Sequence, residues 1–507
     1  MAEIVTIEFT KGWQPDWHPG DAPEGSLTEC KNLLPEDDYL KPVHGKVNYS
    51  TGAVTGTPLF AYETRGTDGV YYPFVFTSSN IYRMATATGI LTELTRTASD
   101  YAAVTNNWSV TPYGDWLVAT DYNDVVQVIK DVGGSTEFVA LGGTPPKAKF
   151  CLFYSGYLIL ANLLVDSTAS PKKVQWSALE SIEDWTASLT TGSDSQDLAD
   201  ADGDITGMVP CGSGVAIFHE NSITYSQFIG APYTFSFKSN VVSGIGALPG
   251  TMINVNGMVY FMGRKGIYIF DGTQVVSIGT GVRRMVIDNM DYALAYRNTV
   301  TFDKAKGIIK WSYVSTESSG TPDKILCYNI NNKRFTHVDV AHNCIFNFRS
   351  AGYTDLNGGV DDATSAGLSA LYGGILDNFP DDYSFDSNYW QAGYYYDALL
   401  DTTGYVATFS GTALTGVIET AERRISDKEL YVSRVRPNII NKTNVTVQLL
   451  TRTGENDTKQ ESAITSIGSN DYADVRQTGR FASVRLTLGD HDGIMSCDVY
   501  GIQRGNR

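Results

Sequence analysis

Short runs of alternating apolar and polar residues dominate this chain, and they recur. Residues 70–85 (VYYPFVFTSSNIYRMA), 115–129 (DWLVATDYNDVVQVI), 156–179, 214–228 (GVAIFHENSITYSQF), 257–272 (GMVYFMGRKGIYIFDG), 307–330 and 369–386 mostly read as strand, polar or glycine turn, strand. Ile81 and Tyr82, Ile223 to Tyr225, and Ile267 to Phe270 fall at matching places in the second strand. The starts lie 41 to 62 residues apart. Such a period suits blades that bury their faces only against their neighbours. The expected fold is therefore all-β: a six- or seven-bladed β-propeller over residues 56–388, with 369–386 either a full blade or a closing strand.

Three further alternating runs, 429–435 (ELYVSRV), 445–451 (VTVQLLT) and 481–488 (FASVRLTL), predict a small β-sandwich over residues 406–507. An aromatic linker, 389–405, carries Tyr389, Trp390 and Tyr394 to Tyr396. Pro15, Pro19, Pro23, Pro35 and Pro42 punctuate the first 55 residues, which read as an arm or plug strand. The one helical stretch is 282–290 (VRRMVIDNM), with Val282, Met285, Val286 and Met290 near one face.

Composition supports this picture. Thirty Tyr and 49 Gly favour strands and tight turns. No run of 18 apolar residues predicts a membrane-spanning helix, and the N-terminus has neither the basic start nor the apolar core of a secretory signal. Cys30, Cys151, Cys211, Cys327, Cys344 and Cys497 are scattered, with no CxxC pair, so buried free thiols are expected.

The net charge of −18 is unevenly spread. Residues 406–507 hold 13 Lys+Arg against 12 Asp+Glu, leaving the excess acid in the first 405. Residues 174–237 and 351–406 contain eighteen carboxylates and no Lys or Arg. Such surfaces do not wrap nucleic acid by neutralising phosphate. They suit a tube through which DNA slides without sticking, or simply solvated loops.

Catalytic signatures are sparse. The six histidines form no HExxH; His337 and His342 would flank a metal only if a third ligand converged. Asp200, Asp202 and Asp204 resemble half a calcium loop, but Ile205 and Cys211 stand where an EF-hand needs Gly and Glu. The glycines around Gly244 and Gly279 lack phosphate-loop spacing. Asp381, Asp382 and Asp386 near Tyr389 and Trp390 could serve glycoside hydrolysis, yet no sialidase-type box accompanies them. No enzyme activity, cofactor or metal is expected, and no catalytic residue is assigned.

The most specific signal runs from Asp202 to Asp288. Its elements at 221–225 (NSITY), 230–237 (GAPYTFSF), 241–245 (VVSGI), 259–272 (VYFMGRKGIYIFDG) and 282–290 follow the order seen in tail hub or nozzle proteins of short-tailed bacteriophages. The chain resembles their packaged-DNA stabilisation family. Pro23, Gly25, Leu27, Asn32 and Gly45 look like the opening of such proteins. GVIET at 416–420, LYVSRVRP at 430–437 and the run from Gly479 to Gly501 look like their C-terminal sandwich.

The resemblance implies a structural virion protein, made and assembled in the host bacterial cytoplasm. Six copies would form a ring around the DNA exit channel, below portal and adaptor proteins and above a tail fibre, needle or spike. The ring would help retain packaged double-stranded DNA and then conduct it without specific binding. On this reading Asp194, Asp197, Asp200, Asp202 and Asp204 line the channel. The alternative is a glycan-binding or glycan-cleaving propeller.

Overall fold

A computed structural model describes residues 2–18, 21–97, 99–101, 107–350, 395–424, 429–454 and 457–503. The regular structure of the described chain is almost entirely β-strand, and its repeating element is a four-stranded antiparallel sheet. Six such sheets stand by themselves and four strands of a larger sheet make a seventh; these are the blades of a β-propeller, numbered here in chain order. Blade 1 has strands Pro58–Arg65, Tyr71–Thr77, Ile81–Met84 and Leu91–Glu93. Blade 2 begins at Ser109–Tyr113, blade 3 at Lys147–Tyr154, blade 4 at Ile205–Cys211, blade 5 at Ile253–Val255 and blade 6 at Thr299–Asp303. Blade 7 takes Cys344–Arg349, Tyr395–Leu400 and Val406–Ala413, then His44–Asn48 as its fourth strand.

The first six alternating segments are the central hairpins of blades 1 to 6. The seventh, 369–386, lies outside the described residues. The expected linker contributes a blade strand, Tyr395–Leu400, and so does the start of the expected sandwich, Val406–Ala413. The chain thus divides at other points than the sequence suggests. Both strands bury apolar residues, Ala398 to Leu400 and Val406 to Ala407, as blade strands must.

By contacts the chain forms two compact units. One holds Asn48–Gly244 and Asn343–Thr408; the other holds Met1–Val47, Ile245–His342 and Phe409–Arg507. In the first unit, blade 7 packs on blade 1 through Val75, Met84, Phe346 and Phe348. Blade 1 packs on blade 2 through Phe74, Phe76, Leu117 and Phe138, and blade 2 on blade 3 through Val118, Val128, Leu158 and Leu160. Blade 3 meets blade 4 through Ile159, Trp176, Val215 and Phe235. The opening strands of blades 7 and 1, of blades 2 and 3, and of blades 3 and 4 lie against one another, leaving each fourth strand at the outer edge of its sheet.

In the second unit, blades 5 and 6 share one core with the sandwich. Residues 1–55, expected as an arm, are woven into it as far as Val47. Ala2–Glu8 pairs in register with Gly493–Gln503, Ile4 opposite Tyr500. Gly12–Trp13 and Ser26–Lys31 run parallel to blade 6's outer strand, Phe335–Asp339. Ser26–Lys31 also pairs with Gly416–Thr420, so the N-terminal residues extend the blade sheet into a sandwich sheet. Leu27, Leu33, Val432, Leu449, Leu486 and Val499 fill the space between the two sandwich sheets. Two of the expected breakers fall within strands: Pro35 sits in a strand at the sheet edge and Pro42 ends one, where a missing N–H costs little. The expected helix 282–290 is shorter, Arg283–Ile287, with a 3₁₀ turn, Tyr292–Arg297, after it.

Candidate functional site

The five aspartates singled out in the sequence sit on blade 3 and the connection that follows it. Asp194 and Asp197 belong to the fourth strand, Asp194–Asp197, opposite Trp176 and Lys173. Asp200, Asp202 and Asp204 lie in the turn leading to blade 4, and all five side chains are exposed. That turn is tied down by its backbone. The Asp200 carbonyl accepts from Asn240 Nδ2 at 2.7 Å, the Asp202 carbonyl from Asn221 N, and the Asp204 carbonyl from Glu220 N. The carboxylates are therefore left to solvent on a fixed frame. Asp194 and Asp197 stand at the outer edge of blade 3, away from its opening strand, Lys147–Tyr154, whereas Asp200, Asp202 and Asp204 follow the connection that returns to the opening strand of blade 4, Ile205–Cys211.

Beside them runs a groove of about 450 Å³. One wall is Gln196 to Asp200. The other is the last hairpin of blade 4, Ser222–Gly230 and Thr234–Ser243, which contributes Ile229, Tyr233, Phe235 and Phe237. Phe235 anchors that hairpin, with ring centroids 5.3 Å from Trp176 and 5.4 Å from Tyr157. Thr234 Oγ1 donates to the Gly192 carbonyl at 2.9 Å. The tip then stands free: Phe228, Ile229 and Tyr233 are 43%, 54% and 75% exposed. Exposed apolar side chains grouped in this way mark interaction surfaces more often than isolated ones do. No Lys or Arg lines the groove, although Lys173 and Lys238 flank it.

A second feature lies where blades 7 and 1 meet. Glu63, on the opening strand of blade 1, accepts from the Arg349 backbone N–H at 2.5 Å. Burial raises its pKa to about 7, more than the arginine's hydrogen bond and charge lower it. The Arg349 guanidinium lies 4.1 Å from the Tyr71 ring centroid and 5.9 Å from that of Tyr395. A carboxyl poised near neutrality beside aromatic rings is an acid–base candidate that sequence reading missed. Nothing local distinguishes Glu63; its burial comes from blade packing.

The histidines do not converge on a metal. His337 Nε2 donates to Glu29 Oε1 at 2.5 Å and its Nδ1 to Asp339 Oδ1 at 3.3 Å, while the Trp13 ring lies tilted against its own, centroids 4.4 Å apart. Burial opposes the imidazolium charge, but those hydrogen bonds outweigh it and hold the pKa above the usual value. His342 instead pairs with Ser312 Oγ at 2.6 Å and the Val340 carbonyl at 2.6 Å, and burial drops its pKa to about 4. Ser312 is fully buried, and a carbonyl stands where a catalytic triad places a carboxylate, so this pair is structural. Among the described residues no three His, Cys, Asp or Glu side chains group as a metal site. All six cysteines are buried thiols. Asp381, Asp382, Asp386, Tyr389 and Trp390 lie outside the described residues.

No protein-family model and no curated protein matches the chain. Among solved structures, "YCF48 bound to D1 peptide" is similar at 14% identity over 60% of this chain and 86% of that one, with a TM-score of 0.35. Apo AztD from Citrobacter koseri is similar at 12% identity over 61% and 93%, with a TM-score of 0.31. At these scores neither likeness bears on function; the propeller reading rests on the sheets themselves.

Proposed function

We propose that this chain is a structural component of a short phage tail, assembling as a ring, of six copies on the family resemblance, around the DNA exit channel. The observation that carries the reading is the last hairpin of blade 4. It lies within Asp202–Asp288, the stretch in which the resemblance is most specific, and it presents Phe228, Ile229 and Tyr233 to solvent beside the exposed Asp197 and Asp200. A protein that works alone gains nothing from three large apolar side chains on a projecting tip; an assembling one buries them against a partner. Portal and adaptor proteins on one side, and a fibre, needle or spike on the other, are the remaining partners this reading requires.

The mechanism is electrostatic. Asp194 and Asp197 stand on the blade's outer edge and Asp200, Asp202 and Asp204 on the connection that follows, so a DNA channel lined by all five runs between copies rather than through one propeller. Fixed negative charge there repels phosphate and keeps DNA from adhering. Salt screens the effect beyond roughly 8–10 Å, so only closely lining residues act. Electron microscopy of tail complexes extracted from virions tests the reading: rings containing this chain around an axial channel support it, and its absence from intact particles overturns it.

Glu63 favours the second reading, a glycan-cleaving propeller. Its pKa of about 7 suits a general acid, and Tyr71 and Tyr395 could stack on a sugar ring. Incubation with host surface polysaccharide separates the two readings. Cleavage lost in Glu63→Gln or Asp382→Asn would support the enzyme.

A further inference from the structure

We infer that the strand Ala2–Glu8 is the pairing edge of a two-fold contact between copies, taking the same strand of a second copy antiparallel alongside it. The inference goes beyond the ring reading and does not rest on it. A two-fold contact joins copies in pairs and cannot link the neighbours of a ring, so it concerns chains not yet assembled.

Ala2–Glu8 pairs with Gly493–Gln503 along one side, and among the described residues no strand lies on its other side. The ladder tells which groups are left over. Phe9 N donates to the Met495 carbonyl at 3.0 Å, continuing the register that sets Val5 opposite Val499 and Ile7 opposite Cys497. Alternate residues bond inward in an antiparallel pair. The N–H and C=O groups of Ile4, Thr6 and Glu8 therefore point away from the sheet. The side chains alternate as well. Ile7 and Phe9 are buried, whereas Ile4 is 60% exposed on the same face as Ile502, itself 50% exposed.

A bare edge is a template for another strand, and folds usually blunt it. This fold blunts its others. The outer strands of blades 1, 2 and 5, Leu91–Glu93, Val139–Ala140 and Val275–Ser277, are two or three residues long. The outer strand of blade 3 carries Asp194 and Asp197, that of blade 4 pairs with two register shifts, and that of blade 7 carries Lys46. Blade 6's is covered by Gly12–Trp13 and Ser26–Lys31. At the far edge of the sandwich sheet that holds Ala2–Glu8, the row from Ala473 to Gly479 is interrupted at Arg476, where φ is +47°. Ala2–Glu8 has seven residues, an unbroken register and no proline or lysine.

The occupant that fits is the same strand. Antiparallel edges are self-complementary about a two-fold axis, since each outward N–H meets an outward carbonyl. Centred on Val5, the pair sets Ile4 opposite Thr6 of the second copy and Ala2 opposite its Glu8, closing about eight backbone hydrogen bonds. The two Ile4 side chains become diagonal neighbours, roughly 7–8 Å apart, and cover each other. The two Glu8 side chains lie at opposite ends, roughly 20 Å apart at 3.4 Å per residue; an in-register parallel pair would set them side by side. Seven-residue edges bury less than the roughly 1,200 Å² of a stable interface, so the dimer is weak and reversible.

Sedimentation from roughly 5 to 500 µM, the range of a weak contact, reads the dimer, and amide hydrogen exchange reads the strand. Wild type should dimerise as concentration rises. The amides of Ile4, Thr6 and Glu8 should then gain protection, while those of Val5, Ile7 and Phe9 are protected at every concentration. Thr6→Pro removes an outward N–H that no inward bond uses, along with the hydroxyl's bond to Asp498 Oδ1. Ile4→Lys sets like charges where the two isoleucines meet and leaves the backbone as it is. Each should weaken dimerisation at least about 10-fold, with circular dichroism confirming the fold. Ile4→Lys decides the matter should Thr6→Pro fail to fold. A wild type that stays monomeric at the highest concentration, association without protection at Ile4, Thr6 and Glu8, or a dimer of undiminished strength in Ile4→Lys overturns the contact. The ring reading is decided apart from it, by the complexes extracted from virions.

Discussion

Substituting His337→Gln removes the cation from a buried ion network joining blade 6 to the N-terminal strand Ser26–Lys31. The imidazolium bridges Glu29 and Asp339, and Asp339 also pairs with Lys31 at 2.5 Å and Lys324 at 3.0 Å. Stripping one partner from a fully buried pair costs about 3–5 kcal/mol, whereas an exposed pair contributes about 0–1 kcal/mol. The side chains of Glu29 and Asp339 are 33% and 21% exposed, and two lysines still neutralise Asp339. The expected loss therefore lies between those limits, about 2 kcal/mol at pH 6.

The sign with pH follows from linkage. The folded pKa of His337 is raised above its unfolded value of 6.5. Its contribution is thus complete below pH 6.5 and fades as pH rises through the folded pKa. Urea unfolding at pH 6, 7, 8 and 9, followed through tryptophan fluorescence, should show the gap between wild type and His337→Gln closing at high pH. Trp13, in ring contact with His337, reports this region. A double-mutant cycle with Glu29→Gln isolates the pair. A gap that stays constant from pH 6 to 9, or below about 0.5 kcal/mol at pH 6, would refute the charged-bridge account.

Glu63→Gln should stabilise the protein at pH 8 and flatten its stability between pH 4.5 and 7. A carboxyl whose folded pKa is raised to about 7 withdraws stability as pH rises from its unfolded value, and the amide still accepts the Arg349 N–H; pH-dependent denaturation checks it. Trp311→Ala should cost about 3–5 kcal/mol, because the side chain is fully buried and its Nε1 donates to the Thr251 carbonyl at 2.8 Å; a chemical-denaturation midpoint measures the loss. Gly143→Ala should lower the melting temperature, since φ is +76° and a Cβ would stand 1.7 Å from the Glu183 carbonyl oxygen. In assembled virions, Asp197→Lys with Asp200→Lys should slow DNA ejection most at low salt, read by dye release in real time; ejection at the wild-type rate would remove these residues from the channel.

The blades were legible because their information is local. In residues 214–228 and 257–272, two alternating strands and the turn between them lie within one short window, and their apolar positions become the buried faces of blades 4 and 5. The N-terminal segment was not legible, because its partners lie far along the chain. Ala2–Glu8 finds its hydrogen bonds at Ser496 to Ile502, and His44–Asn48 completes a blade begun at Cys344. No spacing encodes such a pairing, and prolines compatible with sheet edges read in isolation as breaks.

The aspartates show the same division. The sequence determined that residues 174–237 would be acid-only, since charge is a property of composition. Only the tertiary structure decided that Asp194 and Asp197 occupy an edge strand, and that Asp197 and Asp200 share a groove with Tyr233. It also decided that Glu63 would lose its water. Exposure and desolvation depend on what the rest of the chain brings alongside, and a residue's own neighbours in sequence do not report it.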